Sequence, residues 1–203
     1  MPAPTLRALA LNCTLKPSPQ PSSGDLMASQ FLDELQAHGV ETSSVRAVDH
    51  NIAPGVATDM GDGDDWPTIR AQVLAADVLV FISPTWMGHM SSVAQRVLER
   101  LDADNGAEGE DGSPLLYGKV AVVGVVGNED GAHKVTADVF QALNDVGYTI
   151  PAQGGTYWNG EAMQKTDYRD LDETPAAVAA ALRGAVSNGV HLARLLAVTP
   201  YPT

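Results

Sequence analysis

Cysteine is almost absent from this chain of 203 residues, where Cys13 stands alone. One thiol can form no intrachain disulfide and cannot assemble a thiolate zinc cluster. Such usage fits a reducing compartment, and the expected location is the cytoplasm. Basic residues are scarce too, 12 Lys plus Arg against 25 Asp plus Glu, for a formal net charge of −13. That balance repels polyanions and anionic bilayers, so neither nucleic acid nor a membrane surface is an expected partner. We read the acidity as a surface adapted to solubility rather than as an acidic docking face. No apolar stretch reaches membrane-spanning length, and residues 1–7 lack the basic region and apolar core of a signal peptide. Neither a repeat nor a break in composition divides the chain, so one domain over residues 1–203 is expected.

What the chain does have is alternation. Apolar runs at residues 6–11, 77–82 and 120–126 read as buried strands, and a more polar run at 41–48 reads as an edge strand. Tyr148-Thr149-Ile150, stopped by Pro151, reads as a short fifth strand. Between them lie helical periodicities: Met27, Phe31 and Leu35, then Ile69, Val73 and Leu74 after Trp66-Pro67, with Asp65 near the cap. Val93, Val97, Leu98 and Leu101 mark a third helix, and Val135, Val139, Leu143 and Val146 a fourth. Thr174-Pro175 is expected to cap the last, which buries Val178, Leu182, Val186, Val190 and Leu196. Residues 50–65 and 102–118 are rich in Gly and acidic side chains and read as solvated loops, the first mobile over 58–64.

Strands alternating with helices imply a doubly wound α/β fold, a five-stranded parallel sheet in the order 2-1-3-4-5. In such sheets ligands bind outside the carboxyl ends of the strands at the switch point between the first and third. Three loops should meet there. The loop after the first strand combines a helix N-terminus with Thr14, Lys16, Ser22 and Ser23, a donor set suited to phosphate. Ser22 or Ser23 could instead cap the helix, with Asp25 closing a capping box on Ser22. The loop after the third strand carries Pro84, Thr85, Trp86, Met87 and Gly88, and that after the fourth Asn128, Gly131 and His133. Neither Gly-x-Gly-x-x-Gly nor the triphosphatase Gly-x-x-x-x-Gly-Lys motif occurs in the first loop.

At these residues the chain resembles the flavodoxin-like NAD(P)H-dependent FMN reductase family. Asn12-Cys13-Thr14-Leu15-Lys16 with Ser22-Ser23-Gly24 is similar to the family's Gly-Ser-x-Arg phosphate loop, with Asn12-Cys13 in place of Gly-Ser. Ser83-Pro84-Thr85-Trp86-Met87-Gly88 resembles its Thr-Pro-x-Trp-x-Gly segment along the flavin ring, and residues 127–133 its glycine-rich loop. The resemblance implies FMN as cofactor, with Thr14, Lys16, Ser22 and Ser23 on the phosphate. Pro84, Thr85, Trp86, Met87 and Gly88 would lie along the isoalloxazine, and Asn128, Gly131 and His133 near its rim or the ribityl chain.

It further implies NADPH or NADH as donor, a quinone, flavin or other small acceptor, and a homodimer or homotetramer. A flavodoxin-like electron carrier without nicotinamide activity, or a relative that binds no flavin, would share the pattern. We assign no acid or base, reading His89 and His133 as rim contacts and Cys13 as an ordinary small residue. The aromatic-rich stretch 154–168 is too long for a bare connector and is expected to cover a flavin or pack on a neighbour.

Overall fold

The structure, a computed structural model, describes residues 5–110, 112–161 and 163–202. Residues 1–4, part of the stretch read for targeting signals, lie outside them. Strands β1 (Arg7–Asn12), β2 (Glu41–Arg46), β3 (Val78–Trp86), β5 (Val120–Gly127) and β6 (Gly155–Asn159) form a parallel sheet in the order β2-β1-β3-β5-β6. The two-residue strand β4 (His89–Met90) folds back antiparallel on the end of β3. Leaving that arm aside, the order is the expected flavodoxin-like one.

Each central strand sends alternate residues to opposite faces, as the two-residue pleat requires. Leu9, Leu11, Leu79, Phe81, Ala121 and Val123 pack under α2 (Trp66–Ala75), α3 (Ser92–Leu101) and α4 (Ala132–Asp145). Ala8, Ala10, Val78, Val80, Ile82 and Val122 pack under α1 (Ser23–Ala37) and α5 (Ala176–Val198). Burial on both faces explains why these strands read as unbroken apolar runs. β2, with one neighbour, keeps the polar sequence of an edge.

The fifth strand lies later than its sequence suggests. Tyr148-Thr149-Ile150 contributes one isolated bridge, Thr149 to Val120, whereas Gly155–Asn159 pairs with Val123 to Gly127. An edge strand needs only one packed face, and Thr156 fills its buried position by donating to the Val178 carbonyl at 3.0 Å. Its composition therefore reads as loop.

Charge placement differs as well. Asp64, in the segment expected to be solvated and mobile, has a side chain only 1% exposed that receives Arg100 Nη1 and Nη2 at 3.0 and 2.7 Å. Arg100 is fully buried, also donates to the carbonyls of Ala53 and Ala57, and lies 5.6 Å from the Trp66 ring centroid. The Asp64 carboxylate accepts the Trp66 N–H at 3.2 Å, so it caps α2 in place of Asp65. Asp104, in the second acidic loop, is likewise buried, bidentate with Arg70. Thr174 does not cap α5: Pro175 holds that position without a side-chain bond, and the Thr174 hydroxyl accepts from Gln30. Acidic residues are read as surface from composition, but a carboxylate with a guanidinium to meet it can be buried.

The Arg100 hydrogen bonds hold the Asp64 carboxyl well below the usual carboxylate range. Its contribution to stability is therefore complete above the unfolded value of about 4 and is lost as pH falls toward the folded value. Asp64→Asn, which leaves Arg100 buried without a counter-charge, is expected to cost about 3–5 kcal/mol at pH 7. Urea unfolding of both proteins checks this, and the gap should narrow in acid.

Candidate functional site

The loop after β1 is wound by Asn12, a residue that replaces the expected glycine. Asn12 is buried; its Oδ1 accepts the Thr14 N–H at 3.1 Å and its Nδ2 donates to Asp25 at 2.5 Å. Asp25 in turn closes a capping box with Ser22, accepting the Ser22 N–H and donating its own N–H to Ser22 Oγ at 3.1 Å. The cap and the cradle therefore coexist, since a capping hydroxyl still has its proton to donate. Arg46 pairs with Asp25 and donates to the carbonyls of Lys16 and Gln20. Gly24 is required by closeness: a Cβ there would lie 2.6 Å from Asn12 Oδ1. The first-turn N–H groups of α1 open above this loop and carry the positive end of the helix dipole.

β3 continues past the sheet into a hairpin, pairing Thr85 with Met90 and Trp86 with His89. Met87 and Gly88 make the two-residue turn at φ 53° and 74°, the left-handed pair that matches strand twist. Gly131 supports the turn, and a Cβ on it would lie 2.6 Å from Gly88 Cα. Glu129 accepts the Met87 N–H at 2.6 Å. Ser91 caps α3 through Ala94 N–H at 3.0 Å and donates to the Cys13 carbonyl at 2.6 Å. That one hydroxyl ties the loop after β1 to the loop after β3.

Between these loops a cleft opens at the carboxyl ends of β1, β3, β5 and β6. Of the expected residues, Thr14, Lys16, Ser22, Ser23, Pro84, Thr85, Trp86 and Asn128 line it. Leu15, Gly24, Val126, Gly127, Trp158, Asp167 and Tyr168 line it too, and these were not assigned from sequence. The last three come from the aromatic stretch 154–168, which was expected to cover a flavin or pack on a neighbour. Met87 points away, 88% exposed, and Gly88 and Gly131 build the hairpin instead. His133 is turned to the far side of β6, where its Nε2 meets the Tyr157 hydroxyl at 2.9 Å. Burial pushes the Cys13 thiol up, so it stays a neutral packing residue.

The cleft fits a phosphorylated, hydroxyl-bearing ligand on an observation independent of any relative. Thr85 Oγ1 is buried at its wall with no hydrogen-bond partner among the described residues. Buried polar groups are rarely left so, and a bound hydroxyl or amide would satisfy them. The enclosed volume is about 160 Å³. Ordinary ligand pockets start at about 300 Å³, so this one is narrow. Asp167 and Tyr168 narrow it: Tyr168 is buried against Trp158, rings 5.6 Å apart, and Asp167 reaches to 4.0 Å from Lys16. A larger hollow of about 650 Å³ between Tyr117, Phe140 and Tyr201 lies at the other end of α4. We favour the cleft because charge, a helix N-terminus and unmet polar atoms converge only there among the described residues. No set of three or more His, Cys, Asp or Glu among them could hold a metal ion.

Fold and cleft together define a flavodoxin-like flavoprotein of the oxidoreductase class. Residues 6–164 match the family described as NADPH-dependent FMN reductase, and the chain belongs to it. Over 98% of its length it is 33% identical to 8-demethyl-8-aminoriboflavin-5′-phosphate synthase of Streptomyces davaonensis, covering 81% of that protein. A crystal structure of RosB with bound 8-demethyl-8-formylriboflavin-5′-phosphate superposes with TM-score 0.88, at 33% identity, covering 98% of this chain and 83% of that one. Over 169 residues the chain is also 41% identical to a Mycobacterium bovis protein described as the divalent metal cation transporter MntH. The match takes in 81% of this chain and only 25% of that protein. No helix among the described residues is long and apolar enough to cross a membrane.

Gly24→Ala forces its new methyl into Asn12 Oδ1 and opens the turn that Asn12 holds. Overpacking of this kind should lower stability by about 1–3 kcal/mol, read as a drop in Tm.

Proposed function

We propose that the cleft binds FMN and that the protein passes electrons from NADPH or NADH through the flavin to a quinone, free flavin or other small acceptor. The observation that carries this reading is the unmet Thr85 hydroxyl in a cleft walled by the α1 N-terminus and Lys16. Bound FMN would supply the hydride-accepting N5 and the store for the electron pair. The chain's own part is to hold and orient. Lys16, the Thr14 and Ser23 hydroxyls and the first-turn N–H groups of α1 take the phosphate, with Ser22 donating from its capped position. Thr85 and Asn128 meet the hydroxyls of the ribityl chain. Trp86, half-exposed, and Trp158 line the cleft and would supply flat contacts for the ring. No histidine lines the cleft among the described residues, and we assign no proton-transfer residue. We further propose a single domain, a homodimer or homotetramer, and a cytoplasmic location.

A second reading, in which the flavin phosphate is itself chemically altered, is favoured by the synthase relative that spans 98% of the chain. The two differ in what leaves the protein. Flavin recovered with unchanged mass after NADPH oxidation supports the reductase, and a changed mass supports the modifying enzyme.

The purified protein should show flavin absorbance after FMN is added, and oxidise NADPH or NADH in the presence of a quinone. Lys16→Gln, which removes a charged donor to phosphate, should weaken FMN binding by about tenfold or more. Absence of any bound flavin would sink the proposal, and flavin that is bound but inert to nicotinamide would point to an electron carrier.

A further inference from the structure

The phosphate end of the cleft already contains an anion that belongs to the chain. Asp167 Oδ2 lies 4.0 Å from Lys16 Nζ and 3.9 Å from Arg169 Nε, and its Oδ1 accepts from Asn128 Nδ2 at 3.3 Å. The two ionic contacts are too long to be hydrogen bonds. Arg169 Nε is buried and has no hydrogen-bond partner among the described residues, although Asp170 also lies at 3.6 Å. The rest of Arg169 is fastened to the loop after β1: Nη1 donates to the Pro21 carbonyl at 2.5 Å and its N–H to Ser23 Oγ at 3.4 Å. Both cations are therefore neutralised at ion-pair distance, and Arg169 Nε is left without a hydrogen bond among the described residues. A phosphate monoester, with three oxygens and greater charge, suits the same donors better than one carboxylate does.

The segment that bears Asp167 is held on one side only. Tyr168 is 1% exposed, donates to Gln30 Oε1 at 2.8 Å and packs on Trp158. On the other side residues 163–166 are exposed, Met163 fully so. Asp167 can thus leave the cations without unpacking its anchored neighbour.

We propose that Asp167 is a built-in competitor for the phosphate of the ligand, so that the flavin 5′-phosphate is an exchangeable ligand rather than a permanently held group. The inference rests on the cleft being the flavin site. In the free chain the carboxylate pairs with Lys16 and Arg169, and binding requires it to give them up. Apparent affinity falls in proportion to the fraction of molecules in which the cations are free. A ligand lacking the phosphate does not contest that seat and is indifferent to Asp167.

The test is titration of FMN and of riboflavin into the full chain, read by quenching of flavin fluorescence, for the wild type, Asp167→Asn, Asp167→Ser and Asp167→Glu. Asp167→Asn and Asp167→Ser should bind FMN about tenfold more tightly, the scale for removing one nearby like charge, with slower release. Riboflavin affinity should stay within about twofold, and Asp167→Glu should behave as wild type. Thermal melts identify any variant that fails to fold, and the second neutral variant then carries the comparison. Unchanged or weaker FMN binding in the folded neutral variants overturns the proposal. So does an equal gain for riboflavin, which would mean that Asp167 merely narrows the cleft. Flavin binding by a neutral variant alone supports it. If neither the wild type nor any variant binds FMN, the reading of the cleft itself has failed and the competitor fails with it.

Discussion

The hydroxyl of Ser91 donates to the carbonyl of Cys13 while accepting the N–H of Ala94, and it is 1% exposed. Its backbone N–H reaches back to Ser83 Oγ at 3.2 Å. The loop after β1 is thereby joined to the end of β3 and the start of α3, some seventy-eight residues further along the chain. Inside a packed region such bonds are strong, because the alternative is an unmet buried carbonyl rather than a solvated one. The separation of the cleft's two walls is fixed there. Everything placed on those walls depends on it: the cradle wound by Asn12 on one side, and the hairpin carrying Trp86 on the other.

In a chain of net charge −13, three of the 12 cations gather at or behind the cleft. Arg46 stiffens the loop from behind, Lys16 lines the opening, and Arg169 closes over the loop from the far end of the sequence. Distant carboxylates matter little at this point, since salt screens exposed charges beyond about 8 Å. The local field is decided by what lies within the cleft. There each cation has a carboxylate close by, Asp25 for Arg46 and Asp167 for Lys16 and Arg169.

Much of this was legible in the residues. Unbroken apolar runs located β1, β3 and β5 because a parallel strand buried on both faces has no polar position to disguise it. The loops that follow them stood out for the same reason. β6 was misplaced because Gly155–Asn159 is an edge strand with one packed face, and its polar residues resemble a loop. Asp64 and Asp104 were misread because their partners, Arg100 and Arg70, lie tens of residues away. His133 follows the right strand, yet its ring turns outward to Tyr157, a choice made by packing across β6 rather than by its place in the loop.

By itself the amino-acid order determined the alternation of strand and helix, and hence the sheet order. Local propensity and burial pattern suffice for that, because handedness leaves so few ways to wind the chain. Tertiary structure alone decided that Asn12 would do the work of a glycine turn and that Thr85 would be left with an unmet hydroxyl. It also carried Trp158, Asp167 and Tyr168 back over the loop after β1. These depend on contacts between residues with no regular spacing, and only three-dimensional packing brings such residues within reach of one another.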